Sequence, residues 1–139
     1  WVMPKVYCEI DGQSRTINVP EEYKILGVYN DKNTKTIHFK CPKAVDDVTD
    51  LGEYDIFINF TNAGGVTDAY LCEDVSDSED GNITFSWKIS QEVCEKAGKV
   101  SYIMCAKKID DSGDVTNEWN TTMTQGDVLQ GIEVEQEGE

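Results

Sequence analysis

Apolar and polar residues alternate with period two along most of this 139-residue chain, which is the mark of half-buried β-strands. In "TIHFKCP" the alternation puts Ile37, Phe39 and Cys41 on one face and His38 and Lys40 on the other. Pro42 closes that strand, because proline cannot donate to a ladder. "EYDIFINFTN" holds Tyr54, Ile56, Ile58 and Phe60 in phase up to the Gly64-Gly65 turn, and "AYLCED" reads as the returning strand. "NITFSWKIS" alternates strictly through Ile83, Phe85, Trp87 and Ile89.

The ends of the chain follow related patterns. "KVYCEI" and "RTINV" flank "DGQS", whose Asp-Gly is a strong turn signal, so residues 5 to 19 read as a hairpin. "KVSYIMCAKK" is apolar on both faces, as expected of a central strand or of one covered by a partner. "DDSGD" turns the chain into a last strand through "VTNEWNTTMTQ", and residues 128 to 134 add a short apolar strand. One segment breaks the period. In "SQEVCEKAG", Ser90 can cap a short helix, Val93 and Ala97 share a face, and Gly98 can close it. About eight strands at this spacing predict an all-β, antiparallel β-sandwich with one short helix and an N-terminal hairpin or arm. A soft boundary near Pro20 sets the hairpin of residues 1–20 apart from a sandwich over 21–139.

Charge narrows the choice of partner. Twelve basic against 27 acidic residues give a net charge of −15. That argues against nucleic acid and against anionic membrane surfaces, since affinity for phosphate comes mostly from lysine and arginine. No apolar run is long enough to span a bilayer, and "WVMPKVYCEI" does not read as a signal peptide. Cys8, Cys41, Cys72, Cys94 and Cys105 are odd in number and widely spaced, without a Cys-x-x-Cys pair. They read as thiols of a protein made in a reducing cytoplasm and not as a zinc site, with one disulfide of unassigned pairing as the alternative.

Candidate chemistry is sparse. The single histidine, His38, lies on the polar face of a strand, with no local nucleophile to use it. No phosphate-binding loop occurs, so an enzyme is not expected and no catalytic, metal or cofactor residue is assigned. The acidic loops at 73–80 and 110–114 match no ordered calcium-ligand spacing and read as turns between strands. Trp87 reads as core. Trp119 is in phase with Val115, Thr121 and Met123, a mixed face that suits core or interface better than a sugar-stacking shelf.

Five segments taken together resemble a known family: "KILGVYNDKNTKTIHFKCPK", "YDIFINFTNAGGVTDAYLCED", "ITFSWKIS", "GKVSYIMCAKKID" and "NEWNTTMTQGDVLQGIEV". They are similar to a domain of virion structural proteins in tailed phages of Firmicutes, akin to the N-terminal domain of baseplate upper proteins and to domains of tail-fibre and head-fibre proteins. The resemblance runs from about residue 25 to 134 and rests on segment order. It implies an immunoglobulin-like sandwich without catalysis, located in the virion and made in the host bacterial cytoplasm. Such a module acts in attachment, as an adaptor or as capsid decoration, with other virion structural proteins as partners and as a homo-oligomer. Trp119, Met123, Leu129 and Ile132 are then the candidates for core or intersubunit packing. The alternative is a carbohydrate-binding or adhesin-like surface module with Tyr29, Tyr70 or Trp119 as stacking platforms.

Overall fold

The computed structural model describes residues 5–134, and the parts of the expected hairpin and sandwich that fall on residues 1–4 and 135–139 lie outside them. Two sheets enclose one core. Sheet A has the order β2-β1-β4-β8-β7, from Ile17–Asn18, Cys8–Ile10, Thr36–Pro42, Asn82–Lys88 and Ser76–Asp77. Sheet B runs β3-β11-β9-β5-β6, from Ile25–Val28, Thr124–Leu129, Gly98–Ile109, Asp55–Thr61 and Thr67–Leu71. β10 (Val115–Asn120) pairs with β9 beside β11.

The period-two pattern decides which side chains face inward. Ile37, Phe39 and Cys41 of β4 oppose Trp87, Phe85 and Ile83 of β8 in register. From sheet B, Ile56, Ile58 and Phe60 of β5 and Val100, Tyr102 and Met104 of β9 complete the core. The sheets meet through aromatic rings, with Trp87 4.9 Å from Tyr102 and 5.7 Å from Phe60 between centroids.

Three expectations change. The sandwich is mixed and not wholly antiparallel, because β1 runs parallel to β4 and β3 runs parallel to β11. Long connections place those strands beside partners running the same way, which alternation within a strand cannot reveal. The helix expected over 90–98 is a pair of turns, closed by Val93 N–H to Ser90 O and Cys94 N–H to Gln91 O. The Asn62 side chain donates to the Glu92 carbonyl and the Asn30 backbone to the Cys94 carbonyl, so distant donors take acceptors that a helix would use. Among the described residues helical backbone is confined to single 3-10 turns at Glu21–Tyr23 and Leu51–Glu53, and no helix is long and apolar enough to cross a membrane.

The hairpin over 5–19 forms from β1 and β2, but it is built into sheet A and does not extend as an arm. Cys8, Ile10 and Ile17 all enter the core. The two-faced strand is explained within the chain as well. β9 is central, with β5 on one side and β10 and β11 on the other, so its outward Cys105 is buried between neighbouring strands. Gly126 of β11 permits a close approach to β3: a Cβ there would sit 2.7 Å from Leu26 Cγ.

Candidate interaction surface

Residues 115–128 run antiparallel to β9, with a register shift between Val115 and Asn117 and a break at 121–123. Thr121 bridges the interruption. Its hydroxyl accepts the Met104 N–H at 2.9 Å, and its own N–H donates to the Met104 carbonyl at 3.0 Å. The ladder is kept by a side chain, and the chain leaves Met123 on the outer face, 65% exposed.

Trp119 precedes this break and is only 3% exposed. Its indole N–H donates to Asp46 Oδ2 at 2.8 Å, and the same oxygen pairs with the Arg15 guanidinium at 2.7 Å. The Arg15 guanidinium carbon lies 5.0 Å from the centre of the indole ring, a cation–π arrangement. The Arg15 carbonyl accepts both the N–H and the hydroxyl of Thr122, at 2.7 and 3.1 Å. Trp119 is therefore core and the centre of an internal latch that fastens the hairpin turn to β10. Arg15 and Asp46 both have left-handed backbones, with φ of 62° and 47°. Such conformations are costly for these residue types and persist where surrounding contacts hold them. The N–H of Trp119 and the Arg15 guanidinium together lower the Asp46 carboxyl below its ordinary value near 3.8.

The remaining candidates do not join Trp119. Leu129 and Ile132 are 44% and 95% exposed. Leu129 pairs with Val28 of β3, also exposed, and Ile25 lies further along the same edge, so these side chains form an apolar strip on the outside of sheet B. Met123 lies towards the opposite end of β11. Between them stand two polar pairs, Gln125 with Ser101 at 3.1 Å and Lys99 with Asp127 at 2.7 Å.

Some of the edge backbone groups are occupied by the chain's own side chains. On β3, Lys35 donates to the Ile25 carbonyl and Asp31 accepts the Val28 N–H. On β6, the Asp68 carboxylate accepts the Ala69 N–H at 2.8 Å. The outer strands of sheet A, β2 and β7, are two residues long. Short or partly blocked edges of this kind discourage strand addition.

Several titratable groups outside the latch have structural partners. All five cysteines are free and buried, and burial pushes the thiols of Cys8, Cys41 and Cys72 up to about 12. His38 packs against the rings of Tyr7 and Tyr23, and burial lowers its pKa. In the acidic loops, Asp110 accepts the N–H groups of Ser112 and Asp114, Asp74 binds Ser86, and Asp77 pairs with Lys43. Asp80, bonded to Ser78 and Asn82 and facing Lys40, falls to about 2. Among the described residues no three His, Cys, Asp or Glu side chains are grouped to hold a metal ion.

Sequence reasoning missed Arg15 and Asp46. One signal was available: Arg15 is the only arginine among twelve basic residues. Its site needs a planar fork that stacks, which lysine does not supply. The buried ring of Trp119 cannot serve as a sugar-stacking shelf, whereas Tyr29 and Tyr70, the other two platforms of the alternative reading, are half-buried. No family model matches this chain, and no curated protein sequence matches it at a significant level.

Proposed function

We propose that this chain is a non-catalytic structural module of a phage virion, an immunoglobulin-like attachment, adaptor or decoration domain that works by protein–protein assembly. It is made in the host bacterial cytoplasm and takes other virion structural proteins as partners, with copies of itself among them. One observation carries the reading. The exposed apolar residues Ile25, Val28 and Leu129 form a strip on the outer face of sheet B at its β3 edge, with Ile132 following, while Met123 stands apart towards the other end of β11. A face of that kind suits a docked protein better than solvent.

Strand order supports the immunoglobulin-like part. β4, β8 and β7 face β11, β9, β5 and β6, as strands B, E and D face G, F, C and C′ in that architecture. Because fold does not dictate function, the assignment to a virion rests on the resemblance in segment order together with this surface.

The test is native mass by light scattering across a protein concentration series, paired with tryptophan fluorescence against a glycan panel. A closed oligomer, or a monomer silent to every glycan, supports the assembly reading. A monomer whose fluorescence is quenched by a glycan overturns it in favour of a carbohydrate-binding module.

A further inference from the structure

We propose that His38 is an acid-sensitive catch for the approach to β1: protonation of its ring releases residues 5–7, which cover it while it is neutral. His38 is the only histidine of the chain, and histidine is the side chain whose charge ordinarily changes between about pH 5 and 8. Such a catch works whatever the module docks against, so the assembly reading stands or falls separately.

The cover is tied down lightly. The register of β1 with β4 begins at Cys8, opposite Phe39, so residues 5–7 lie outside the ladder. Tyr23 holds them: its hydroxyl donates to the Val6 carbonyl at 2.8 Å and also meets the backbone of His38. Val6 and Tyr7 are half-buried, as is His38. The imidazole lies 6.4 Å from the centres of both the Tyr7 and the Tyr23 rings, edge-on to the first and tilted to the second.

The charges around the ring set the direction of the response. Lys5 comes from the covering segment itself. Lys40 of β4 lies 4.9 Å from the centre of the Tyr7 ring and pairs with Asp80. Across the ladder Ser86 of β8 stands opposite His38, and Asp74, from the connection between β6 and β7, accepts its N–H and its hydroxyl. Further along on either side, Glu9 is opposite Lys40 and Lys88 is opposite Thr36. Burial first and Lys5 second disfavour the imidazolium, and they outweigh the attraction of Asp74, so the ring's pKa lies below its ordinary 6.5. Withdrawal of residues 5–7 removes Lys5 and part of the burial, while Asp74 stays fixed to β8. A proton therefore binds the open arrangement more tightly than the closed one and shifts the population toward it. The closed arrangement is fully favoured above pH 6.5 and loses ground as pH falls through the lowered value.

The test is NMR of the full chain between about pH 8 and about pH 5, for wild type, His38→Gln and Lys5→Gln. In wild type the His38 ring should titrate below 6.5. Over that same titration the Overhauser contact between the Tyr7 and His38 rings should fade, and the backbone of Val6 and Tyr7 should lose order while β4 and β8 keep theirs. His38→Gln should hold residues 5–7 in place throughout the range. Lys5→Gln should bring the ring's midpoint closer to 6.5 and shrink the loosening. A midpoint at or above 6.5 overturns the catch, and so does a ring that titrates while residues 5–7 stay ordered. Loosening that persists in His38→Gln assigns the response to carboxylates and overturns it too. Loss of order spread over both sheets would be unfolding at large, and the catch would fall with it.

Discussion

Trp87 and Trp119 are both buried tryptophans on strands, yet they are held in different ways. Trp87 lies at the middle of the sandwich, fully buried between Phe60 and Tyr102, and its indole N–H has no hydrogen-bond partner among the described residues. Trp119 lies at the rim, with its N–H on a carboxylate and its face under a guanidinium. The first region is organised by apolar packing around the ring. In the second, polar contacts gather three distant pieces of chain around residues 15, 46 and 119. The difference shows that the same residue type acts as filler in the centre and as fastener at the edge.

The largest test of this contrast is Trp87→Ala, which should cost about 3–5 kcal/mol in urea unfolding and leave little folded protein. Trp87→Phe should cost much less than that, because it also removes an unpaired buried N–H. Equal costs for the two would mean that the N–H is in fact satisfied, and the contrast with Trp119 would collapse.

At the rim, Arg15→Lys should cost about 1 kcal/mol, a modest figure because the pair with Asp46 is partly exposed. Its signature should be local: faster hydrogen exchange at the amides of β1 and β2, with the centre of β9 unchanged. Uniform exchange across both sheets would show that the latch is not a separate fastening. Acid should act in the same way. The Asp46 carboxyl is depressed in the fold, so its contribution is fully present above its ordinary value near 3.8 and is lost as pH falls through its lowered value. Asp46→Asn should flatten that part of the acid response, and an unaltered response would remove Asp46 from the latch.

Tyr102→Phe sharpens the comparison from the other side. The Tyr102 hydroxyl is buried without a partner beside Trp87, so its removal should be neutral or stabilise by up to about 1 kcal/mol. A loss of more than that would reveal a hidden partner in the core. The smallest effects belong to the outer face: Leu129→Ala and Ile132→Ala should each change stability by less than about 0.5 kcal/mol, since both side chains are exposed. Any larger change should appear in native mass or partner binding, and a pair of variants silent in both would remove this strip from the proposed assembly surface.

Alternation along the chain was enough by itself to determine the strands that carry the core, because side chains on a strand switch faces at each residue. Ile37, Phe39, Ile83, Phe85, Trp87, Ile56, Ile58 and Phe60 all lie where that rule puts them. The Asp-Gly turn and the hairpin around it were equally local, since a turn depends on the conformations of a few neighbouring residues.

Only the tertiary structure decided the rest. Whether β1 and β3 pair in parallel, and with which strand, depends on partners about thirty and a hundred residues away. The turns at 90–98 replaced a helix because Asn30 and Asn62 reach their carbonyls across the fold. Trp119 became a fastener because residues 15 and 46 converge on it, and Met123 became exposed because Thr121 replaces one rung of the ladder with its side chain. Local patterns encode which face a residue takes, whereas long-range hydrogen bonds and charge contacts exist only once the chain has closed on itself.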